Sequence, residues 1–277
     1  MPKIALLQMT SGIDPEANTL AVEEAAREAA TQGARILFTP EMSILLDKDR
    51  LRGGGWIEGR GPADAIERLS QIADESGIDI ALGSMPTKSD TGRWANRSIY
   101  FSSAAATSPV TYDKIHMFDV ELASGETWRE SHAYEPGTQV VSIDDTPVGR
   151  LGLTVCYDLR FPALFGELGD RRCDAIAIPA AFTRPTGAAH WHVLQRARAI
   201  EASAFVIAAA QVGKHEDGRE TYGHSLVVDP WGEVLLDMGG VEPGLGFCDI
   251  DLARIAEVRA QVPSLANRRD IPKSAPQ

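Results

Sequence analysis

Gly149-Arg150-Leu151-Gly152-Leu153-Thr154-Val155-Cys156-Tyr157-Asp158-Leu159-Arg160-Phe161-Pro162 is the stretch from which the rest of the chain can be read. Its first eight residues alternate and carry enough β-branching to predict a strand. Pro162 is well placed for the first turn of a helix. A thiol at the end of a strand, before a sharp turn into a helix, is held where a substrate can reach it. Backbone N–H groups of such a turn point the same way and can bind a developing anion. Taken alone, the run also fits a small buried core thiol, because unpaired Cys is among the most buried residue types.

Outward from this segment, strand-like and helix-like runs alternate. In the first half, strands are expected at 3–9, 35–38 and 78–85, with a neighbouring pair at 98–101 and 110–114. Helices are expected at 16–31 and 62–76. After Cys156 come a short helix at 163–168, a strand at 175–178, a helix at 191–203 and a strand at 204–211. Short strands at 225–228, 233–236 and 246–250 follow, then a helix at 251–261. This order mixes crossover helices with hairpins. It implies a mixed sheet or two packed sheets with helices outside, in the α/β or α+β range. The two halves share a rhythm, without a repeat at the level of sequence.

Composition narrows the function classes. The 277 residues carry a net charge of −12 and are 44% hydrophobic. That bounds the chain to one large domain or two modest ones with a substantial core. No basic stripe stands out, so neither nucleic acid nor an anionic membrane surface is an expected partner. The longest apolar stretches, such as 202–211, are too short to span a bilayer. The N-terminus lacks the long apolar core of a signal peptide and reads as a first strand. Cys156, Cys173 and Cys248 are odd in number and widely spaced, which argues against a disulfide framework and a structural zinc site. A reducing cytoplasm is the expected setting.

Three predicted strand ends carry a reactive group: Glu41 after Phe38-Thr39-Pro40, Lys114 after Thr111-Tyr112-Asp113, and Cys156. In α/β sheets, sites gather at the carboxyl ends of strands. A thiol nucleophile needs a base, and a carboxylate in a dry pocket can serve. An ammonium beside the attacked carbonyl stabilises the oxyanion. Acid, amine and thiol therefore form a complete set for acyl transfer. Singly, Glu41 also reads as a solvated carboxylate, and Lys114 as a charge guarding an edge strand.

The segments Phe38-Thr39-Pro40-Glu41, Tyr112-Asp113-Lys114-Ile115-His116-Met117-Phe118-Asp119 and Leu153 through Pro162 together resemble the nitrilase superfamily of carbon–nitrogen hydrolases, over Ile4 to about Val262. The resemblance implies an α-β-β-α four-layer sandwich of two mixed sheets flanked by helices. It implies one such domain over 1–277, with an irregular tail from about 263 and pairing through a helical face into a homodimer or higher homo-oligomer. It places the family's glutamate, lysine and cysteine triad on Glu41, Lys114 and Cys156, and an assisting glutamate on Glu130. The stretches Gly187 to Glu201 and Tyr222 to Gly232 look like the branch holding omega-amidase and deaminated-glutathione amidase. Ala188, where proline is usual, and Glu201-Ala202-Ser203 depart from the commonest form.

What the resemblance implies chemically is hydrolysis of an amide of a small, carboxylate-bearing molecule through a cysteine thioester. Deaminated glutathione is the leading substrate; α-ketoglutaramate and N-carbamoyl amides are alternatives, and a degenerate, non-enzymatic scaffold is the rival outside catalysis. Cys156 attacks, Glu41 moves the proton, and Lys114 with the Tyr157 backbone N–H holds the oxyanion. Lys114 is expected to favour the thiolate of Cys156. Arg160 suits a substrate carboxylate, and an ion pair with Asp158 or another acid is its structural alternative. Thr183, Arg184 and Thr186, in the loop after Ile178-Pro179-Ala180-Ala181, are candidate pocket residues. No metal or organic cofactor is required. A zinc site on His190 and His192 is disfavoured, because helical residues two apart face different ways. A Cys–His arrangement with His224 as base is the remaining rival.

Overall fold

Every position of Lys3–Gln8 except the first is buried, with Ile4 and Leu6 facing one way and Ala5 and Leu7 the other. A strand apolar on both faces belongs inside a layered α/β structure. The computed structural model, which describes residues 1–104, 108–121, 125 and 127–272, contains such layers.

The strands, in chain order, are β1 (Lys3–Gln8), β2 (Ile36–Phe38), β3 (Asp79–Lys88), β4 (Trp94–Phe101), β5 (Val110–Asp113), β6 (Asp119–Glu121), β7 (Thr127–Arg129), β8 (Val141–Thr146), β9 (Gly149–Leu153), β10 (Ala175–Ala177), β11 (Phe205–Ala208), β12 (Val212–Lys214), β13 (Glu220–Tyr222), β14 (Leu226–Val228), β15 (Val234–Asp237) and β16 (Gly244–Asp249). The helices are α1 (Pro15–Thr31), α2 (Arg50–Glu58), α3 (Gly61–Ser76), α4 (Pro162–Asp170), α5 (Arg184–Ala202) and α6 (Ala253–Gln261). One six-stranded sheet runs β16-β1-β2-β3-β4-β5, the other β15-β14-β11-β10-β9-β8. In each, three neighbouring strands are parallel (β1, β2, β3 and β9, β10, β11) and the flanking strands antiparallel. The shared rhythm of the two halves is this repeated arrangement.

Ile4, Leu6, Ile36 and Phe38 meet Leu151, Leu153, Ile176 and Val206 in one apolar core, while Ala5, Leu7, Leu37 and Ile80 pack under Val22 and Ala26 of α1 and Leu69 and Ile72 of α3. Phe165 of α4 and Trp191 of α5 close the outer side of the second sheet. The result is a four-layer α-β-β-α sandwich. Helix ends follow local chemistry: the Asp14 carboxylate accepts the Glu16 and Ala17 N–H groups, and α3 stops at Gly77 with φ +62°. The carboxyl ends of the two sheets meet where Met9, just past β1, bridges Gln211, just past β11.

Several expectations are corrected. The strand into Cys156 leaves the sheet at Leu153, and Cys156–Arg160 forms a 3₁₀ turn. The helix expected at 191–203 begins at Arg184, because Pro185 occupies its first turn instead of a loop. The strand expected at 204–211 is confined to Phe205–Ala208. Helix α2, strand β8 and the hairpins β6–β7 and β12–β13 have no counterpart in the sequence reading; they are short, α2 is interrupted by three glycines, and the strands carry charged or polar residues that break an apolar period. Of the tail, Leu265 is buried and Arg268 donates to the Gly166 carbonyl at 2.9 Å, while 273–277 lie outside the described residues. Among the described residues no helix is long and apolar enough to cross a membrane.

Candidate active site

Glu41, Lys114 and Cys156 each lie a few residues past the end of a strand: β2, β5 and β9. All three side chains are buried and line one cavity of about 520 Å³. The Lys114 ammonium sits 2.9 Å from Glu41 Oε1, and 2.9 and 3.1 Å from the two oxygens of Glu130. Glu130 is thus joined to Glu41 through the amine.

Asn96, fully buried on β4, was not singled out by sequence reasoning. Its amide donates to Glu41 Oε1 at 2.9 Å and to Glu130 Oε1 at 3.0 Å. The only local signal is that Asn96 and Ser98, spaced by two with Arg97 between them, put polar groups on one face of β4. The remaining oxygens also have donors. Ala181 N–H donates to Glu41 Oε2 at 3.0 Å, and Phe118 N–H to Glu130 Oε2 at 2.6 Å. The Glu41 carbonyl accepts from Gln211 Nε2 at 3.0 Å, so the end of the second sheet fixes a loop from the first.

These contacts set the charges. Burial pushes the Glu41 carboxyl up, but the Lys114 ammonium and hydrogen bonds from Cys156, Lys114 and Asn96 outweigh it and hold the group below the usual carboxylate range. Burial pulls Lys114 down, and the Glu130 and Glu41 charges more than reverse it, so the amine stays protonated. Cys156 goes the other way from expectation. Burial and the Glu41 charge raise its thiol well above the ordinary range, against the opposing pull of Lys114. The site therefore rests as carboxylate, ammonium and neutral thiol. The ammonium's field is spent on two carboxylates before it reaches the sulfur.

Cys156 has φ +50°, a left-handed conformation uncommon outside glycine. Its N–H donates to the Pro179 carbonyl at 2.8 Å, anchoring it to the loop after β10. Asp158, fully buried, accepts from Val155 N–H at 2.9 Å, from the Tyr112 hydroxyl at 2.6 Å and from His116 N–H at 3.0 Å. Tyr112 and His116 flank Lys114, so one carboxylate ties the cysteine turn to the lysine segment. The Tyr157 N–H, at the start of that turn, has no acceptor among the described residues.

Arg160 lines the cavity and does not pair with Asp158, whose oxygens are already taken. Its guanidinium lies 5.2 Å from the Phe182 ring centroid and 5.8 Å from that of Tyr157, with Nη1 3.2 Å from His190 Nδ1. Thr183 and Thr186 line the cavity and share a hydroxyl contact of 2.9 Å at the start of α5. Arg184 is not in the wall; it is exposed and pairs with Glu220 at 2.7 Å. His190 and His192 do not converge. His192 and His224 instead meet Asp237 at 3.0 and 2.9 Å, outside the cavity wall, so His224 is not placed beside Cys156.

The model of the family described as carbon–nitrogen hydrolase matches residues 3–260. The chain is 37% identical to the deaminated glutathione amidase of Yersinia enterocolitica, covering 99% of this chain and 95% of that protein. It is equally 37% identical to the human deaminated glutathione amidase, over 97% and 83% of the two. Among solved structures, the Caenorhabditis elegans NitFhit protein superposes with a TM-score of 0.87 at 34% identity, covering 97% of this chain but only 65% of that fusion. An amidase from Nesterenkonia sp. AN1, solved after Michael addition of acrylamide at its active-site cysteine, gives 0.78 at 26% identity over 95% and 98%. A family match over almost the whole length, on a fold that brings an acid, an amine and a thiol into one cavity, identifies this chain as a member of the carbon–nitrogen hydrolase family.

Proposed function

We propose that this hydrolase cleaves the amide of deaminated glutathione, with Cys156 as nucleophile and Glu41 as its proton carrier. The observation that carries the mechanism is the burial of Glu41, Lys114 and Cys156 around one cavity, with Glu41 ionised and hydrogen-bonded to a neutral thiol. The substrate comes from the names of the relatives at 37% identity.

The sulfur attacks the amide carbonyl as its proton passes to Glu41, forming the C–S bond and a tetrahedral oxyanion. The oxyanion lies between the Lys114 ammonium and the free N–H of Tyr157. Glu41 then gives that proton to the nitrogen, the C–N bond breaks, and the amine leaves a thioester on Cys156. Water enters, Glu41 takes one of its protons, and hydroxide adds to the thioester carbonyl. The carboxylic acid departs as the proton returns to the sulfur. Glu130 and Asn96 keep Lys114 and Glu41 in register throughout. Arg160, which has no carboxylate partner among the described residues, grips the carboxylate of the acyl half; Thr183 and Thr186 shape the wall beside it. No step calls on a metal or organic cofactor.

The proposal includes a homodimer working in the cytoplasm. The pairing is supported by the apolar exposure of Val193 and Ile200 on α5 and of Trp231 in the turn beside it; the compartment rests on the three unpaired cysteines.

Cys156→Ala abolishes hydrolysis, and mass spectrometry of the quenched wild-type reaction finds the acyl group on Cys156. Full activity in Cys156→Ala ends the mechanism. A panel of deaminated glutathione, α-ketoglutaramate, an N-carbamoyl amino acid and a simple nitrile tests the substrate; a kcat/KM highest for any member but the first replaces the assignment.

A further inference from the structure

We infer that Lys48 and Arg50, at the outer part of the cavity, form a second anion subsite that receives a carboxylate on the amine half of the substrate. The enzyme then takes peptide-like amides with an anionic group on both sides of the bond it breaks. The inference rests on the proposed amidase reading for the naming of the two halves.

The chain has 39 acidic and 27 basic residues, so a cation usually has an acid to pair with. The cavity wall reverses this balance. It contains Lys48, Arg50, Lys114, Arg129, Arg160 and Arg219 against Glu41, Asp47, Glu130 and Glu220. Each of those acids is already engaged: Glu41 and Glu130 with Lys114, Asp47 with Arg52 at 2.6 Å, and Glu220 with Arg184 at 2.7 Å. Arg219 pairs with Asp217 at 2.6 Å and Arg129 with Glu121 at 3.7 Å. Among the described residues, Lys48, Arg50 and Arg160 are the wall cations left with no carboxylate within 4.0 Å. An anion entering the cavity meets a positive wall inside an acidic protein.

Exposed, solvated Lys and Arg side chains are ordinary, so the surroundings of these two decide the matter. Arg50 Nη2 donates to the Arg129 carbonyl at 3.0 Å, which restrains the guanidinium at the mouth. Lys48 N–H donates at 3.1 Å to Asp217, a buried carboxylate that also grips Arg219, whose guanidinium lies 5.1 Å from the Trp128 ring centroid. The segment 47–50 is thereby pinned to the turn at 217–219. A partly ordered cation loses less freedom on taking a ligand.

Arg160 belongs to a different wall, stacked on Phe182 and Tyr157 and four residues beyond the cysteine. It addresses the acyl half. Lys48 ends the loop that carries Glu41 and Arg50 opens α2 directly after it, and Glu41 delivers the proton to the departing nitrogen, so they address the amine half. A cavity of about 520 Å³ lies within the range that holds ligands well above the size of a simple acid amide.

The test compares two synthetic amides with one keto-acid acyl group and one dipeptide amine half, ending in a carboxylate or a carboxamide. Wild type favours the carboxylate by about tenfold or more in kcat/KM, expressed in KM. In Lys48→Gln/Arg50→Gln the ratio falls toward one. In Arg160→Gln both substrates weaken and the ratio survives. A wild type indifferent to the terminal group, or a ratio untouched by the double variant, overturns the subsite. Calorimetry on Cys156→Ala reads the same preference without turnover. Carboxylate-dependent binding with no turnover by wild type removes the amidase reading and leaves the subsite; equal binding of both compounds removes the subsite.

Discussion

Asn96 and Glu130 show how much of the chemistry at Cys156 is set by residues that do not touch the sulfur. A buried lysine next to one carboxylate is one charge pair; next to two it becomes a clamp that keeps the amine protonated and helps hold Glu41 ionised. Asn96 relieves the crowding of two carboxylates by donating to each. The consequence is a thiol that stays neutral until substrate arrives. The pH dependence follows from the signs. The proposed reaction needs Glu41 ionised, and its lowered pKa puts the acid limb of kcat/KM below the usual carboxylate range. It also needs Lys114 protonated, and both Lys114 and Cys156 are raised, so no alkaline limb falls near the ordinary cysteine value of about 8.5. A pH–rate profile with a flat plateau across neutrality meets this expectation; a limb at about pH 8.5 contradicts it. Of the site residues, the acid, amine and thiol were legible because each ends a recognisable strand in a recognisable motif. Asn96 and Asp158 were not, because the distant residues they join lie 34 to 55 positions away along the chain, and a two-residue spacing does not say which groups a side chain will meet.

At the level of elements, the loop carrying Glu41 depends on how closely β3 passes beneath it. Gly83 N–H donates to Thr39 Oγ1 at 3.0 Å, and a Cβ at this position would lie 2.1 Å from the Thr39 carbonyl oxygen and 2.3 Å from that of Pro40. Both obstacles are backbone, which cannot rotate away. Gly83→Ala is therefore expected to destabilise the protein by about 1–3 kcal/mol and to lower kcat by shifting Glu41. Denaturant midpoints and kcat measured on the same preparation check it; a variant with wild-type values in both removes the argument. Gly55 of α2, where a Cβ would meet nothing within 4 Å, offers the contrast. The helix α5 teaches a related lesson. Its first turn, Arg184-Pro185-Thr186-Gly187, reads as a loop by composition, yet Gly187 lies against Tyr222, where a Cβ would come within 2.4 Å of its side chain. Pro185 permits that start, and packing of Gly187 against Tyr222 holds it in place.

For the whole molecule, the sandwich leaves an apolar strip on its outer side. Val193 is 68% exposed, Ile200 50% and Trp231 48%, and Arg196 Nε holds the Gly232 carbonyl at 2.7 Å, locking the β14–β15 turn against α5. Exposed apolar patches of this kind mark association surfaces. Light scattering is expected to give twice the chain mass, and Val193→Glu/Ile200→Glu to halve it; a wild-type monomer at micromolar concentration refutes the homodimer. Much of the layered architecture was already written in the chain. Alternation at period two or a fully apolar run fixes which residues face a sheet's neighbours, capping residues and prolines mark helix ends, and three reactive groups at strand ends announce a site. Those are local properties, carried by a few consecutive residues. What only the folded molecule decided was the meeting of segments far apart in sequence: Asn96 between two acids, Gln211 on the Glu41 carbonyl, Asp158 tying residues 112–116 to 155, and a positive cavity wall within a chain of charge −12. Protonation states and recognition depend on distances between such segments, and distance across the fold is not a function of spacing along the chain.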